Sequence, residues 1–263
     1  SHKLEEVMAV ADRVTVLRYG RTVGEVATAD TSTRELADMM VGRTVLFSRV
    51  DREVPVERDD VVLDVREISA DNDTGGVAVD GVSLRVGRGE IVGVAGVAGN
   101  GQRELCEVIA GMRRVRHGSV DVAGVTIDTG DARSATRAGI AYVPEDRRHT
   151  GMAAGRSIAD NLVLKSFRRP PMSRLGVMNR KAIRAHATRL VEDNDVKAAS
   201  IDTPVRLLSG GNVQKVMLAR EFNADPRVLV AASPTRGLDV GATETIRSRL
   251  AAAADAGVAV LLV

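Results

Sequence analysis

The pattern of apolar and polar residues changes along this 263-residue chain. Near the start, Leu4, Val7 and Met8 recur at helical spacing, and "VTVLRYGRTVGEVA" then alternates as two strands about a turn. Ser32 and Glu35 have the spacing of a capping box, which predicts the start of a second helix. We therefore expect a helix, a hairpin and a helix, with too few residues for a complete domain.

A second organisation begins at Val61. Two apolar strands, "VVLDVREI" and "VAVDGVSLRV", are followed by "EIVGVAG", which leads through a glycine-rich loop into a helix from about Gly101 to Ala110. The later segments "GIAYVP", "RVLVAAS" and "GVAVLLV" are short, continuously apolar and separated by helical stretches. Such segments are typical of a parallel sheet buried on both faces, so we predict an α/β fold.

The stretch between these two regions differs from both. From about Gly42 to Asp60 the chain is charged, lacks periodicity and contains a proline, which is typical of a linker. We therefore divide the chain into residues 1–45, a linker at 46–60, and a domain at 61–263.

Composition excludes several classes of protein. No apolar run approaches the roughly 20 residues that cross a bilayer, and the first residues lack the layout of a secretory signal. A single cysteine, Cys106, excludes an internal disulfide and is interpreted as a small core residue. The 37 basic and 35 acidic residues predict a mixed surface, and 2% aromatic content disfavours single-stranded nucleic-acid binding, so we expect no nucleic acid.

The segment "GVAGNGQREL" has the outline of a phosphate-binding loop. A strand delivers Gly96 and Gly101 onto the head of a helix, where successive backbone N–H groups can point at an anion. Such a loop normally continues with a lysine and a hydroxyl that ligates Mg²⁺, but Gln102 and Arg103 stand there. Taken alone, it is either a nucleotide site without its chemistry or a tight strand-to-helix turn.

A second glycine motif, "LLSGGNVQKVMLARE", precedes another predicted helix. Ser209 is suited to capping, and the amides of Gly210 and Gly211 would form an anion-facing helix terminus. An ordinary serine-glycine cap remains the alternative for this motif on its own.

Two further stretches, "AYVPEDRR" and "VLVAASPTRGLDVGA", stand at fitting distances from these motifs. The ordered set resembles the nucleotide-binding subunits of ABC transporters, with a P-loop, a Q-loop, the LSGG signature, a Walker B strand and a D-loop. "LSGGN", the nearby lysine and "PTRGLDVGA" are similar, more narrowly, to the second half of the tandem ATPases that drive uptake of simple sugars and nucleosides. This resemblance is specific and covers roughly Val61 to Val263.

The resemblance implies a P-loop NTPase fold of the ABC type, with a mostly parallel core sheet, an antiparallel β subdomain and a helical signature subdomain from about Asp146 to Thr203. It implies ATP and Mg²⁺ as cofactors and transport-coupled ATP hydrolysis as the activity. The positions that match the family's nucleotide-contacting motifs are Gly96, Gly99, Asn100, Gly101, Gln102, Arg103, Glu145, Ser209, Gly210, Gly211 and Asp239.

The chain departs from the family pattern where the chemistry lies. The Walker B strand should end in a metal-holding aspartate and a catalytic glutamate, but Ala232 and Ser233 occupy those positions. Glu145 replaces the Q-loop glutamine, and "ISADNDTGGVAV" contains no aromatic residue to stack on adenine. We predict no metal ligand in this half and no hydrolysis at its own P-loop.

The front of the chain also matches the family. "SHKLEEVMAVADRVTVLRYGR" is similar to the end of the first half of the tandem ATPases, which puts His2 at the catalytic switch-histidine position. The resemblance then makes residues 1–45 the tail of a first domain and residues 61–263 a second domain truncated before its own switch histidine. In the family, the signature of one half closes over ATP held by the P-loop of the other, so ATP and Mg²⁺ are expected mainly at that composite site.

The implied partners are transmembrane permease subunits, a first nucleotide-binding half of the same or a sister chain, and, indirectly, a periplasmic or lipid-anchored substrate-binding protein. The implied location is peripheral, at the cytoplasmic face of the cell membrane. Two alternatives stay open: a non-catalytic remnant or regulatory scaffold, and a tandem ATPase acting on ribosomes. The short linker and "PTRGLDVGA" disfavour the ribosomal alternative.

Overall fold

The computed structural model describes residues 4–18, 20–42 and 57–263. The chain forms two compact units, one from residues 1–51 with 237–249 and one from residues 52–236 with 250–263. His2 and residues 46–56 of the predicted linker lie outside the described residues. The predicted domain boundaries therefore stay predictions.

The first unit contains a hairpin between two helices. Its elements are α1 (Leu4–Val10), the antiparallel strands β1 (Arg13–Arg18) and β2 (Arg21–Ala27), and α2 (Thr33–Val41). These elements agree with the predicted helix, hairpin and helix.

The predicted capping box at the start of α2 is confirmed. Ser32 Oγ accepts from Glu35 N at 3.2 Å, and Glu35 Oε2 accepts from Ser32 N at 3.1 Å. The helix then turns its apolar face inward, where Leu36 and Ala37 pack with Leu4 and Val16. Two backbone N–H groups that a helix start would leave unpaired are thus satisfied locally.

The second unit contains two four-stranded sheets. The strands of the first sheet are β3 (Glu57–Asp71), β4 (Val77–Arg88), β6 (His117–Val122) and β7 (Val125–Thr126). This sheet is antiparallel, in the order β4-β3-β6-β7. β3 begins inside the predicted linker because its first residue, Glu57, already pairs with Arg88 of β4.

The strands of the second sheet are β5 (Ile91–Gly93), β8 (Ile140–Val143), β11 (Val228–Ala231) and β12 (Ala259–Leu262). All neighbours are parallel, in the order β5-β12-β11-β8, which confirms the predicted parallel sheet. Every residue of β11 is fully buried, as its continuous apolar run predicts. β5 is shorter than the predicted strand, because pairing with β12 ends after Val94 N donates to Leu262 O at 2.8 Å.

One helix packs between the two sheets. α3 (Gln102–Ile109) buries Leu105, Cys106, Val108 and Ile109 in a core shared with both sheets. Cys106 is fully buried, as expected of a small core residue, and burial raises the pKa of its thiol to about 12.

The remaining elements of the second unit include the signature helix. They are α4 (Ala132–Ala138), α5 (Ile158–Leu162), the two-residue strands β9 (Ser173–Arg174) and β10 (Val177–Met178), α6 (Arg180–Asp193) and α7 (Gly210–Phe222). A last helix, α8 (Val240–Asp255), has residues in both units. Among the residues that the structure describes, no helix combines the length and apolar character needed to cross a bilayer.

A buried carboxylate attaches α7 to the parallel sheet. Glu221 is fully buried, and its Oε2 accepts from the backbone N–H of Tyr142 in β8 at 3.1 Å. Its Oε1 accepts from Arg220 Nε at 2.8 Å, and Lys165 completes the cluster as an ion pair. Because each oxygen has charged or backbone donors, the desolvation of this carboxylate is offset.

Replacing Glu221 with alanine removes the acceptor and leaves Arg220 and Lys165 with uncompensated charge. We expect Glu221→Ala to lower the free energy of unfolding by about 3–5 kcal/mol, as is typical when one partner of a buried ion pair is removed. Urea unfolding followed by circular dichroism measures the change.

Glu192→Ala is the matched control, because Glu192 is an exposed carboxylate on the neighbouring helix α6. We expect that variant to stay within about 0.5 kcal/mol of the parent. Equal effects of the two substitutions would contradict an anchoring role for Glu221.

Candidate functional site

The glycine loop, residues 94–101, connects β5 to α3. Gly99 and Gly101 have φ values of 91° and 89°, which favour glycine. A Cβ on Gly101 would stand 2.2 Å from the carbonyl oxygen of Ala78 in β4, so this glycine also permits a close backbone approach. α3 begins at the next residue, and its first backbone N–H groups have no intrahelical partner.

The side chain of Gln102 folds back into this loop. Its Nε2 donates to Val97 O at 2.9 Å, and its Oε1 accepts from Asn100 N at 3.0 Å. The same Nε2 lies 2.4 Å from where a Cβ of Gly96 would stand. The amide therefore fills the inside of the loop and uses one of the backbone donors that would otherwise face an anion.

Arg103 points away from the loop, towards the turn before β4. It forms an ion pair with Asp73, and its Nε lies 3.0 Å from Glu107 Oε1. Arg113 donates to the same Asp73 at 2.5 Å and to Glu107 at 2.6 Å. The Arg113 and Arg103 guanidinium groups hold the pKa of the Asp73 carboxyl below its usual range.

The Walker B and Q-loop positions lie at the ends of neighbouring strands. Ala232 directly follows β11 and is nearly buried, while Ser233 N donates to Val263 O at 2.6 Å. Glu145, after β8, forms an ion pair with Arg236. The end of β11 thus carries no carboxylate, and Glu145 pairs with a side chain of its own domain.

Asp239 has a local structural role. Its Oδ1 accepts from Ala242 N at 2.8 Å, at the start of α8. This contact caps the helix.

The signature, Ser209–Gly211, forms the start of α7. Ser209 is exposed, and its Oγ accepts from the backbone N–H of Asn212 at 3.4 Å and from Asn212 Nδ2 at 3.0 Å. Gly210 and Gly211 are the first two residues of the helix. Their amides lie at the positive end of a 13-residue helix, which is suited to an anion.

Contacts beyond the glycines hold this helix start in place. Asn212 Oδ1 accepts from Lys197 N at 2.8 Å, and Lys215 Nζ donates to Asp195 O at 2.8 Å. The helix body is buried from Val216 to Glu221. The start of α7 is therefore capped, with Ser209 exposed, and the rest of the helix is held by its buried side chains.

The predicted site residues fall into separate groups in the structure. Gly96 to Arg103 form one local cluster, and Ser209 to Gly211 form a second. Glu145 is a third position, and His2 lies outside the described residues. Sequence reasoning missed Asp73 as the shared partner of Arg103 and Arg113. The signal was present as charge complementarity, since two aspartates precede β4 and the basic run "RRVRH" follows α3.

A family model described as ABC transporter matches residues 79–236. The chain belongs to the ABC transporter family. The matched range contains the glycine loop, Glu145, the signature and the end of β11, and the family that these motifs predicted is confirmed.

Curated relatives extend the match beyond that range. The nucleoside import ATP-binding protein NupA of Lactococcus lactis subsp. cremoris is 41% identical over the whole chain and 52% of its own length. The glucose import ATP-binding protein TsgD13 of Haloferax volcanii is 49% identical over 95% of this chain and 46% of its own length. The chain thus spans about half the length of these relatives.

Solved structures confirm the ABC fold. The ATP-binding cassette MJ0796, in a dimeric post-hydrolysis state bound to ADP and phosphate, matches 76% of this chain and 86% of its own with a TM-score of 0.63. Its 19% sequence identity supports the fold alone. ATP, which the ABC family implies, does not fit the glycine loop of this chain as it stands, because Gln102 fills it and Arg103 is held elsewhere.

Two glycine substitutions in the loop test whether packing alone requires the glycine at position 101. We expect Gly101→Ala to destabilise the chain by about 2 kcal/mol more than Gly99→Ala, because only the first new Cβ meets backbone. Both variants share the strain of a positive φ, about 1–2 kcal/mol, so their difference isolates the clash with Ala78. Urea unfolding without nucleotide measures both; equal losses would contradict the close approach.

Proposed function

We propose that this chain is part of the ATP-binding component of an ABC importer, where its signature completes an ATP site held by another nucleotide-binding half. The observation that carries the proposal is the helix start Ser209–Gly211, in which Ser209 is exposed and both glycines are half-buried, on a buried, anchored helix. Backbone N–H groups of a helix start bind phosphate oxygens without any change in protonation.

The residues of the chain's own glycine loop support assigning ATP hydrolysis to the site held by the other half. Lysine, the Mg²⁺ hydroxyl and both Walker B carboxylates are absent from the matching positions, where Gln102, Arg103, Ala232 and Ser233 stand. In phosphoryl transfer these groups neutralise charge, hold the metal and orient the attacking water. Hydrolysis, with its Mg²⁺, therefore belongs to the composite site, for which this chain supplies the signature and, by resemblance, His2.

The names of the relatives support the class of cargo. NupA is a nucleoside import ATP-binding protein, NupO of Bacillus subtilis a guanosine import ATP-binding protein, and TsgD13 a glucose import ATP-binding protein. We infer that the cargo is a nucleoside or a simple sugar, with "GVAGNGQREL" and "VAASPTRG" favouring the nucleoside branch.

The remaining partners follow from the importer role. They are transmembrane permease subunits, which this ATPase contacts at the cytoplasmic face of the membrane, and indirectly a periplasmic or lipid-anchored substrate-binding protein. The second nucleotide-binding half belongs to the same or a sister chain.

A regulatory scaffold without transport activity is the second candidate. The missing Walker B carboxylates favour it, since Ala232 and Ser233 cannot hold a metal or a water. The scaffold differs from the importer role in one respect: its signature contacts no phosphate.

The signature assignment is tested with Gly210→Asp in the full-length protein with its permease. A carboxylate about 4 Å from a phosphate charge adds roughly 4 kcal/mol of repulsion near a protein surface. We therefore expect the rate of ATP hydrolysis to fall at least about tenfold. Stability should be maintained or slightly raised, because an acidic residue in the first turn favours a helix.

Gly155→Asp is the matched control. Gly155 is exposed and has open space around a new Cβ, so this variant adds the same charge in the loop before α5, outside the signature motif. We expect its hydrolysis rate to match the parent. Equal rates in Gly210→Asp, Gly155→Asp and the parent would favour the scaffold instead.

A further inference from the structure

Three of the positions where this chain departs from the ABC pattern carry a polar side chain that has a partner inside the chain. Gln102 bonds its own loop, Arg103 pairs with Asp73, and Glu145 pairs with Arg236. We propose that Gln102 and Arg103 replace a bound nucleotide as the groups that hold the glycine loop and the turn before β4, so that this loop stays assembled and excludes nucleotide. The inference deepens the proposed function, on which it rests.

Gln102 suits this role because an amide both donates and accepts. The loop offers a backbone donor at Asn100 and a backbone acceptor at Val97, and the two ends of one amide satisfy both. A lysine at this position could not accept from Asn100, and a phosphate could not donate to Val97. The loop is therefore complementary to its own glutamine rather than to an anion.

Arg103 contacts the turn before β4 rather than the loop. In the family pattern a small hydroxyl at this position faces Mg²⁺, whereas here a long cation reaches 30 residues back along the chain to Asp73. Asp73 belongs to the stretch in which no adenine-stacking aromatic is present. The position expected to face the metal and the stretch expected to face the base are thus joined by an ion pair.

The turn that carries Asp73 is itself well held. Asn72 Oδ1 accepts from Thr74 N at 3.0 Å and from Gly76 N at 2.9 Å, and Arg113 Nη1 donates to Asp71 O at 2.6 Å. Arg113 also bonds Asp73 and Glu107, so α3 and the turn are linked twice. The Arg103–Asp73 ion pair therefore joins α3 to a turn, and other contacts also hold these two segments together.

The charges near the loop oppose a triphosphate. Arg103 and Arg113 are both committed to carboxylates, and Glu104 and Glu107 lie on the first two turns of α3. Binding in the loop would require breaking the two hydrogen bonds of Gln102, and using Arg103 as a counter-charge would require separating the Arg103–Asp73 pair. If Arg103 or Arg113 moved to the phosphates, its carboxylate partner would be left without a cation. The net electrostatic gain from binding a nucleotide would therefore be small.

The experiment uses the 263-residue chain, whose sequence contains a single glycine loop of this type. Isothermal titration with MgATP and with magnesium pyrophosphate measures binding, and thermal unfolding measures stability. We expect the parent chain to bind neither probe up to about 1 mM, a limit of roughly 4 kcal/mol of binding free energy.

Two variants open the loop. Gln102→Ala should lower the melting temperature by about 4 °C, because two hydrogen bonds are lost. The double variant Gln102→Lys with Arg103→Ser should gain binding of magnesium pyrophosphate at least about tenfold above the parent limit. Arg184→Ala removes an ion pair with Asp202 of similar exposure and should gain no binding.

Binding of either probe below that limit to a chain that carries Gly210→Asp, which blocks the signature, would overturn the inference, as would a Gln102→Ala variant as stable as the parent. The hydrolysis assay of Gly210→Asp reports the composite site instead, which Gln102 does not line. Probe binding at the glycine loop would therefore contradict this inference, whereas unchanged hydrolysis in Gly210→Asp would contradict the proposed function.

Discussion

The buried carboxylate of Glu221 is the contact on which the presentation of the signature depends. It joins α7 to β8 through Tyr142 N and to the segment after α5 through Lys165. Arg220, the adjacent residue, donates to Gly151 O at 2.7 Å, so the same end of the helix also holds the loop after β8. One anchored end fixes the direction of the helix, and its other end is left exposed with capped, anion-facing amides.

In the second unit, the residues that form the core are different from the residues that match the nucleotide-contacting motifs. The two sheets and α3 form a single core, whose strands are apolar enough to be found from sequence alone. The chemistry-bearing positions stand at the ends of these strands and helices, where the core imposes the backbone and leaves the side chain free to change. The glycine loop therefore has a backbone course set by the core, while Gln102 and Arg103 occupy the two positions that follow its glycines.

The sequence predicted well what depends on local pattern. The parallel strands, the capping box at Ser32 and the cap at Ser209 follow from periodicity and from residue types with strong local preferences. It failed where a contact joins distant residues. The start of β3 at Glu57 depends on pairing with Arg88, and the partner of Arg103 lies in a turn 30 residues earlier, which no local pattern encodes.

Gly101 shows that a glycine in a phosphate-loop pattern can be required by packing alone. A Cβ at this position would meet the carbonyl oxygen of Ala78, a neighbour that is present with or without a phosphate. Any fold that keeps β4 and α3 this close needs a glycine here, whichever residues occupy the next two positions. Glycine spacing in such a loop therefore reports the course of the backbone, and the two residues that follow report the chemistry.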